Sequence, residues 1–326
     1  MEMVQETRRV MVGVDVGKAW LDVHVAGSKR QFRVANDATG IAELVERLGG
    51  GSGMRVVMEA SGDYERVPHH ELVDKGVITA IVNPKRVRDF AKALGIDAKT
   101  DRIDAKVIAK YGEITDPRAT PVLPPERQEL AELLACRKQL IDEITFRKQQ
   151  LEHLQGERPR AMILEMIDYF SIKNKDFDKA IDTHVAAHDE LQATVDLLLT
   201  MRGCGRILAL TLITEMPELG QLDRRQIAAL AGLAPVARDS GLKENQRVTK
   251  GGRGQLRRVL YMAAVSAIRA NDNPFKARYL ALVDRGKPKK LAIVAAMRAM
   301  IVTLNAMVRD NKPGNPKRGA RQNIGC

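Results

Sequence analysis

Apolar and polar residues trade places at period two through the first part of the chain. The pattern predicts strands over 10–16 (Val-Met-Val-Gly-Val-Asp-Val), 21–25 (Leu-Asp-Val-His-Val) and 31–34 (Gln-Phe-Arg-Val), with the turn signal Ala26-Gly-Ser-Lys between the last two. Three successive strands imply an antiparallel meander. Helical spacing then alternates with short apolar runs: a helix over 40–48, a strand over 54–59, a helix over 64–75, a strand over 78–82, and a further helix opened by Asn83-Pro84. A meander followed by β-α-β units is the layout of an RNase H-like sheet, in which the first strand and a later neighbour bring acids to the same sheet end.

Two isolated acids sit where that layout needs them. Asp15 lies within the first apolar strand and Glu59 ends the fourth. A carboxylate in an apolar strand is unfavourable unless it is paired or metal-bound. Downstream, Thr100-Asp101-Arg102-Ile103-Asp104-Ala105 heads a helical pattern, and Asp101 and Asp104 share one face with Cβ atoms roughly 5–6 Å apart. Four carboxylates from two strands and one helix face suit Mg²⁺ (or Mn²⁺), which takes oxygen ligands and retains waters. Paired ions of this kind stabilise the attacking and leaving oxygens of phosphoryl transfer. Any one of these acids alone would read as a surface ion pair; the set points to metal.

Pro117, Pro121, Pro124 and Pro125 close this region, which sets a first domain at 1–120. A long helical run over 126–155 follows. Positions 130, 137, 144 and 151 together with 133, 140, 147 and 154 are apolar at six of eight seam sites, Arg137 and Arg147 being the exceptions. With a second helix expected over 176–201, residues 121–200 read as a coiled-coil linker, either an intramolecular hairpin or the seam of a homodimer or homotetramer, with dimerisation preferred. The third domain, 201–326, is expected to be mainly helical, so the fold class is α/β plus α.

Charge sharpens the division. The 326 residues carry a formal net charge of +12. Residues 201–326 hold 24 Lys and Arg against 8 Asp and Glu, leaving 29 against 33 in the first 200. An acidic first part can concentrate metal, and a basic second part can track a polyanion such as DNA. Arg238, Lys243, Arg247, Lys250, Arg253, Arg257 and Arg258 cluster around Gly-rich loops and a basic helix at 255–262, making them the candidate nucleic-acid contacts. Cys136, Cys204 and Cys326 are too scattered for a disulfide framework or zinc site, and no signal sequence opens the chain, so a cytoplasmic setting is expected. His184 and His188 lack supporting ligands and read as a solvated helix face. The apolar run 291–308 is interrupted by Arg298 and Asn305 and reads as a buried helix, with no membrane span.

Other motifs stay open. Gly203-Cys-Gly205 can be a phosphate-facing turn between helices or a plain helix cap. Gly49-Gly-Gly-Ser-Gly53 lacks the Lys-Ser/Thr of a P-loop. Gly13-Val-Asp15-Val-Gly17 resembles the first phosphate loop of actin-like ATPases, but no second phosphate loop accompanies it. Ser240 lies in a loop among basic residues with no nearby His to serve as its base, so from the residues alone it is a turn former first and a nucleophile second.

The blocks Gly13-Val-Asp15-Val-Gly-Lys18 with Leu21-Asp22, Glu59-Ala-Ser-Gly62, Asn83-Pro84 and Thr100-Asp-x-x-Asp-Ala105 resemble the DEDD transposases of insertion-sequence family 110. So do Ala231-Gly-Leu-Ala-Pro235, Ser240-Gly241 and Leu256-Arg-Arg-x-Leu-Tyr-Met262, in the same order along nearly the whole chain. Val236 departs from the basic residue expected after the Pro. The resemblance implies a RuvC-like domain, a coiled-coil linker and a serine-bearing transposase domain. It implies further that the enzyme is an RNA-guided recombinase whose bridge RNA pairs with donor and target DNA. Asp15, Glu59, Asp101 and Asp104 would then bind Mg²⁺, and Ser240 would form a phosphoserine link. The rival readings are a water-using RuvC-like nuclease or junction resolvase with Ser240 structural, and a non-catalytic nucleic-acid-binding protein.

Overall fold

The alternation in the first eighty residues produces a five-stranded sheet. The computed structural model describes residues 10–49, 53–96, 101–236, 248–249, 251–271 and 273–314, with only the backbone at 101, 102, 236 and 248. The chain divides into two compact units, Met1–Val122 and Leu123–Cys326. In the first, β1 (Val10–Val16), β2 (Trp20–Val25) and β3 (Gln31–Ala35) form an antiparallel meander. β4 (Met54–Glu59) pairs parallel with β1, and β5 (Ile78–Val82) parallel with β4, giving the order β3-β2-β1-β4-β5.

Period-two alternation sends side chains to two separate cores. Val12, Val14, Val16, Val56 and Met58 pack on one face with Ile41 and Leu44 of α1 (Ala38–Arg47) and Leu72 of α2 (Arg66–Asp74). Met11 and Val57 pack on the other with Val87 and Ala91 of α3 (Pro84–Ala93) and Val107, Ile108 and Tyr111 of α4 (Asp101–Thr115). Helices on both faces leave the central strands buried on both sides, which is why their sequence is nearly continuously apolar.

α4 lies unusually close to the sheet. A Cβ on Gly13 would sit 2.1 Å from the Ala105 carbonyl oxygen and 2.3 Å from the Ala109 amide nitrogen, and one on Gly112 would meet Val57 at 2.9 Å. The small residues Ala105, Ala109 and Gly112 therefore form the stripe on which the helix beds down. Its far end is tied by Arg55 of β4, whose guanidinium reaches Asp116 at 2.5 Å and the Pro117 carbonyl at 2.8 Å. These contacts run α4 against the direction of β1 and β4, so its N-terminus lies at their C-terminal ends.

In the second unit, α5 (Pro125–His153) and α6 (Glu157–Ala186) fold back on each other through a three-residue link. All eight expected seam positions of α5 and its link are buried or partly buried, and Arg137 crosses to Asp178 of α6 at 2.5 Å. The expected helix over 176–201 is replaced by two, α6 and α7 (Asp189–Leu199). α6 starts early because Pro159 falls in its first turn, where no amide donor is needed. It stops where His188 Nδ1 bonds the His184 carbonyl, and Asp189 and Glu190 favour a new helix N-terminus.

Leu130, Ile181, Val185 and the buried faces of α7, α8 (Arg206–Glu215), α9 (Arg224–Leu230), α10 (Gly254–Arg269), α11 (Pro274–Val283) and α12 (Lys289–Asp310) share one core. α12 is long and apolar enough to cross a membrane, yet Met297, Met300, Ile301 and Leu304 are fully buried within this unit. Its Asn305 is also buried and satisfied, accepting from Gly220 N–H and donating to the Leu222 carbonyl, both at 2.8 Å.

Candidate active site

The last rung of the β1–β4 register joins Val14 to Met58, so Asp15 and Glu59 stand one residue beyond it on neighbouring strands. Both share the alternation of Met11 and Val57 and face α3 and α4. The end of β4 is held in place by the Ala60 amide, which donates to the Val82 carbonyl at 3.1 Å. The following loop is fixed by the buried Glu65, whose carboxylate accepts from the Ser61 amide at 2.9 Å. Asp104 arrives from the first turn of α4.

Asp15, Glu59 and Asp104 line one cavity of about 410 Å³. Its other wall is α3, through Pro84, Lys85, Val87, Arg88 and Ala91, and Ser61 closes the β4 side. Asn83 caps α3, its side chain accepting from the Lys85 amide at 2.9 Å, and so sets where that wall begins. The backbone of Asp101 is at the start of α4, but its side chain lies outside the described residues. Among the described residues, no three of His, Cys, Asp and Glu form a ready-made metal-binding group.

One acid was absent from the sequence-based set. Asp22 of β2 is directly opposite Asp15 in the antiparallel register and is 6% exposed. Like charges opposed across a ladder are destabilising. Here Arg33, the next residue along the same rung on β3, binds both Asp22 oxygens, with contacts of 2.7 and 3.1 Å. The rung thus reads Arg33, Asp22, Asp15 across three strands. Alternation within 21–25 already put Asp22 on the face of Asp15; its partner was visible only once β3 was paired. His24, two residues on, has its pKa lowered by burial and then by nearby Lys106, against the pull of Glu113.

Ser240 and the candidate contacts Arg238, Lys243, Arg247 and Lys250 lie outside the described residues. Their segment is bounded by a two-rung antiparallel ladder, β6 (Pro235–Val236) with β7 (Val248–Thr249). At its base two backbones meet at a separation only glycine allows: a Cβ on Gly252 would fall 2.1 Å from Gly232 N. Arg253 N–H donates to the Leu230 carbonyl at 2.8 Å, and Arg257 to the Gly251 carbonyl at 2.7 Å. The Arg253 guanidinium forms a two-pronged pair with Glu218, 2.8 Å at each prong. Burial pushes the Glu218 carboxyl up, but that hydrogen bond and charge more than reverse it, leaving the group below the usual carboxylate range. Arg258 is on α10, contacting Gln255 of its own helix. Of the three described candidates, Arg253 is thus tied into the unit, and Arg257 supports the ladder base.

Two open motifs resolve as structure. Gly203 has φ 93 and packs against Ala267, while Gly205 is the N-cap of α8 and Arg206 pairs with Asp182. His184 is buried, not solvated as expected, with Nε2 bonded to the Glu126 carbonyl at 2.7 Å. The helical hairpin shelters it, a contact between residues 58 positions apart that helix periodicity does not reveal.

Comparison with known proteins adds an independent line. A family model described as Transposase, of the DEDD type of IS110, matches residues 12–156, and a second, described as Transposase IS116/IS110/IS902 family, matches residues 195–280. The chain is 27% identical to the Pilin gene-inverting protein of Moraxella bovis, over 94% of this chain and 97% of that protein. It is 23% identical to the insertion element IS116 uncharacterized 44.8 kDa protein of Streptomyces clavuligerus, over 94% and 96%. A further similarity, 30% identity over 42% of this chain and 37% of the other, is to the insertion element IS900 uncharacterized 42 kDa protein of Mycobacterium paratuberculosis.

Proposed function

Since the chain belongs to the IS110/IS116 family of transposases and so acts in DNA recombination, we propose that it is a Mg²⁺-dependent, RNA-guided recombinase that cuts and rejoins insertion-element and target DNA through a phosphoserine intermediate. The observation that carries the metal-dependent half is the convergence of Asp15, Glu59 and Asp104 on one cavity from β1, β4 and α4. The sheet order β3-β2-β1-β4-β5 supports reading the first unit as RNase H-like, or RuvC-like, with its chemistry at the C-terminal ends of β1 and β4. The donors are all hard oxygens, and magnesium uses one or two carboxylates beside retained waters, so acids spread around a cavity suit it better than a tight cage. Asp15, Glu59, Asp104 and, from the same helix turn, Asp101 would hold the ion or ions. Once bound, these supply charge neutralisation at the phosphodiester.

The serine half rests on the family and on what inversion demands. Inverting a gene, the act named for the Moraxella protein, requires broken strands to be rejoined in a new order. A covalent link makes that possible without another energy source. Ser240 Oγ would attack phosphorus, its proton leaving to solvent or a carboxylate, while one deoxyribose oxygen departs and is protonated to a hydroxyl. A hydroxyl from the exchange partner strand then attacks the phosphoserine, the P–O bond to serine breaks, and the diester is restored. The number of diester bonds is unchanged. Sequence choice would reside in pairing between a structured noncoding RNA and both DNAs, leaving Lys and Arg to hold backbones. Exposed Phe146 on α5 and Met162, Tyr169 and Ile172 on α6 support assembly as a homodimer or homotetramer through the helical hairpin.

The test incubates protein, RNA transcribed from the element's flanking DNA, donor and target DNA with Mg²⁺, followed by a denaturing protein gel. A covalent protein–DNA adduct lost in Ser240→Ala and in Asp15→Asn is expected. Cleavage that persists in Ser240→Ala, with no adduct in the wild type, would instead make this a nuclease that uses water.

A further inference from the structure

The cavity that holds the acids has a basic wall no motif announced. Lys85 and Arg88 of α3 line it opposite Asp15, Glu59 and Asp104, and both side chains are exposed. Four other arginines of this unit are engaged: Arg33 with Asp22, Arg47 with Glu43, Arg55 with Asp116, and Arg66 with Asp63. Among the described residues, no hydrogen bond or ion pair occupies the Lys85 ammonium or the Arg88 guanidinium. Position along α3 explains why these two are singled out: Lys85 and Arg88 are one turn apart, flanking the buried Val87, while Arg86 and Lys92 on the same helix do not line the cavity.

Two cations facing a carboxylate set across an open cavity form a site for a ligand that carries both negative charge and bound cations. A phosphodiester fits: its non-bridging oxygens take charge-assisted hydrogen bonds from Lys and, in a two-pronged fashion, from Arg, while its other side meets the acids through metal. We propose that Lys85 and Arg88 grip the phosphodiester of the DNA strand that is cut at this cavity, positioning it against the acids. The inference rests on the metal-dependent reading of that cavity given above. It assigns α3 a part in the reaction separate from the basic residues of the second unit. The alternative role, cations that only neutralise Asp15, Glu59 and Asp104, predicts a different outcome: their loss would lower the melting temperature and leave DNA contacts unchanged.

The experiment places the element, with its native flanking DNA, on a plasmid in a bacterial host and counts recombined junctions by quantitative PCR. Lys85→Ala and Arg88→Ala should each lower the count about tenfold or more, as expected for loss of a charge-assisted hydrogen bond. Protein level and melting temperature should stay at wild-type values. Arg86→Ala and Lys92→Ala, which remove the same charge from the same helix, should stay within about twofold, because nonspecific attraction is shared by all four. Lys85→Arg should restore more activity than Lys85→Gln. With purified protein and a fluorescein-labelled duplex of the element end, each cavity variant should reduce the salt slope of binding by about one. Counts and slopes for Lys85→Ala and Arg88→Ala that match Arg86→Ala overturn the inference while leaving the acid site standing. Junctions that persist in Asp15→Asn overturn the acid site itself, and the inference with it.

Discussion

Asp15, Glu59 and Asp104 stand on two strands and a helix whose spacing is fixed by Gly13, whereas the segment bearing Ser240 joins the described structure through a two-rung ladder whose base is fixed by Gly232 and Gly252. Both places depend on backbones closer than any Cβ permits. The glycines differ in what they supply. Gly13 lies in an extended strand and contributes only space. Gly232 and Gly252 also adopt φ of 68 and 71, the left-handed region that other residues enter at a cost. The acid site is held by layered packing on both sides of a sheet, the base of the β6–β7 ladder by local backbone contacts and a few polar ties. The second should therefore be the less tolerant of substitution at its glycines.

That difference can be broken most forcefully at Gly252. Gly252→Ala should lose roughly 1–2 kcal/mol for the left-handed backbone and roughly 1–3 kcal/mol more for the contact with Gly232. The expected readouts are a lower melting temperature and loss of the covalent adduct. Gly13→Ala meets only the second penalty, about 1–3 kcal/mol. It should lower stability less, but abolish cleavage by pushing Asp104 away from Asp15; a fully active Gly13→Ala would show that the close approach of α4 is dispensable.

Arg253→Ala leaves the half-buried Glu218 without its partner and should cost about 1–3 kcal/mol by chemical denaturation. The pair also has a pH signature. Because the folded carboxyl titrates below its unfolded value of about 4.3, its contribution is fully present above that value and is lost as pH falls through the lower folded pKa. Melting temperature should hence fall more steeply on acidification in the wild type than in Arg253→Ala, and parallel curves would contradict this. The smallest effect concerns thiols. Burial pushes the Cys204 thiol up to about 12, while Cys136 is exposed. A maleimide at neutral pH should label Cys136 in the native protein and Cys204 only after denaturation, with no change in stability.

Much of the first unit was legible because strand alternation and acid placement are local. The runs around Asp15 and Glu59 carry their own period, and the structure has both residues at strand positions facing one way. The wall formed by Lys85 and Arg88 was not legible, since a short helix with basic residues at 85, 86, 88 and 92 does not reveal which of them faces a neighbour. The Asp22–Arg33 and Arg253–Glu218 pairs depend on registers and on contacts up to 35 residues apart. Strands two residues long, as in β6 and β7, have no period to read. The helix expected to start at 176 begins at Glu157, with Pro159 in its first turn, where no amide donor is needed.

The shared register of β1 and β4 has a consequence for how this sheet can change over generations. Side chains point alternately to two cores, so parity decides which compartment each residue enters. A single-residue deletion anywhere in 10–14 would turn Asp15 into the core that holds Ile41 and Leu44, and bring an apolar neighbour to face α4 in its place. Loss of two residues would restore the facing direction and shift only the height. Length variation within these strands is thus filtered by evenness, and insertions of any length should collect in the turns between them.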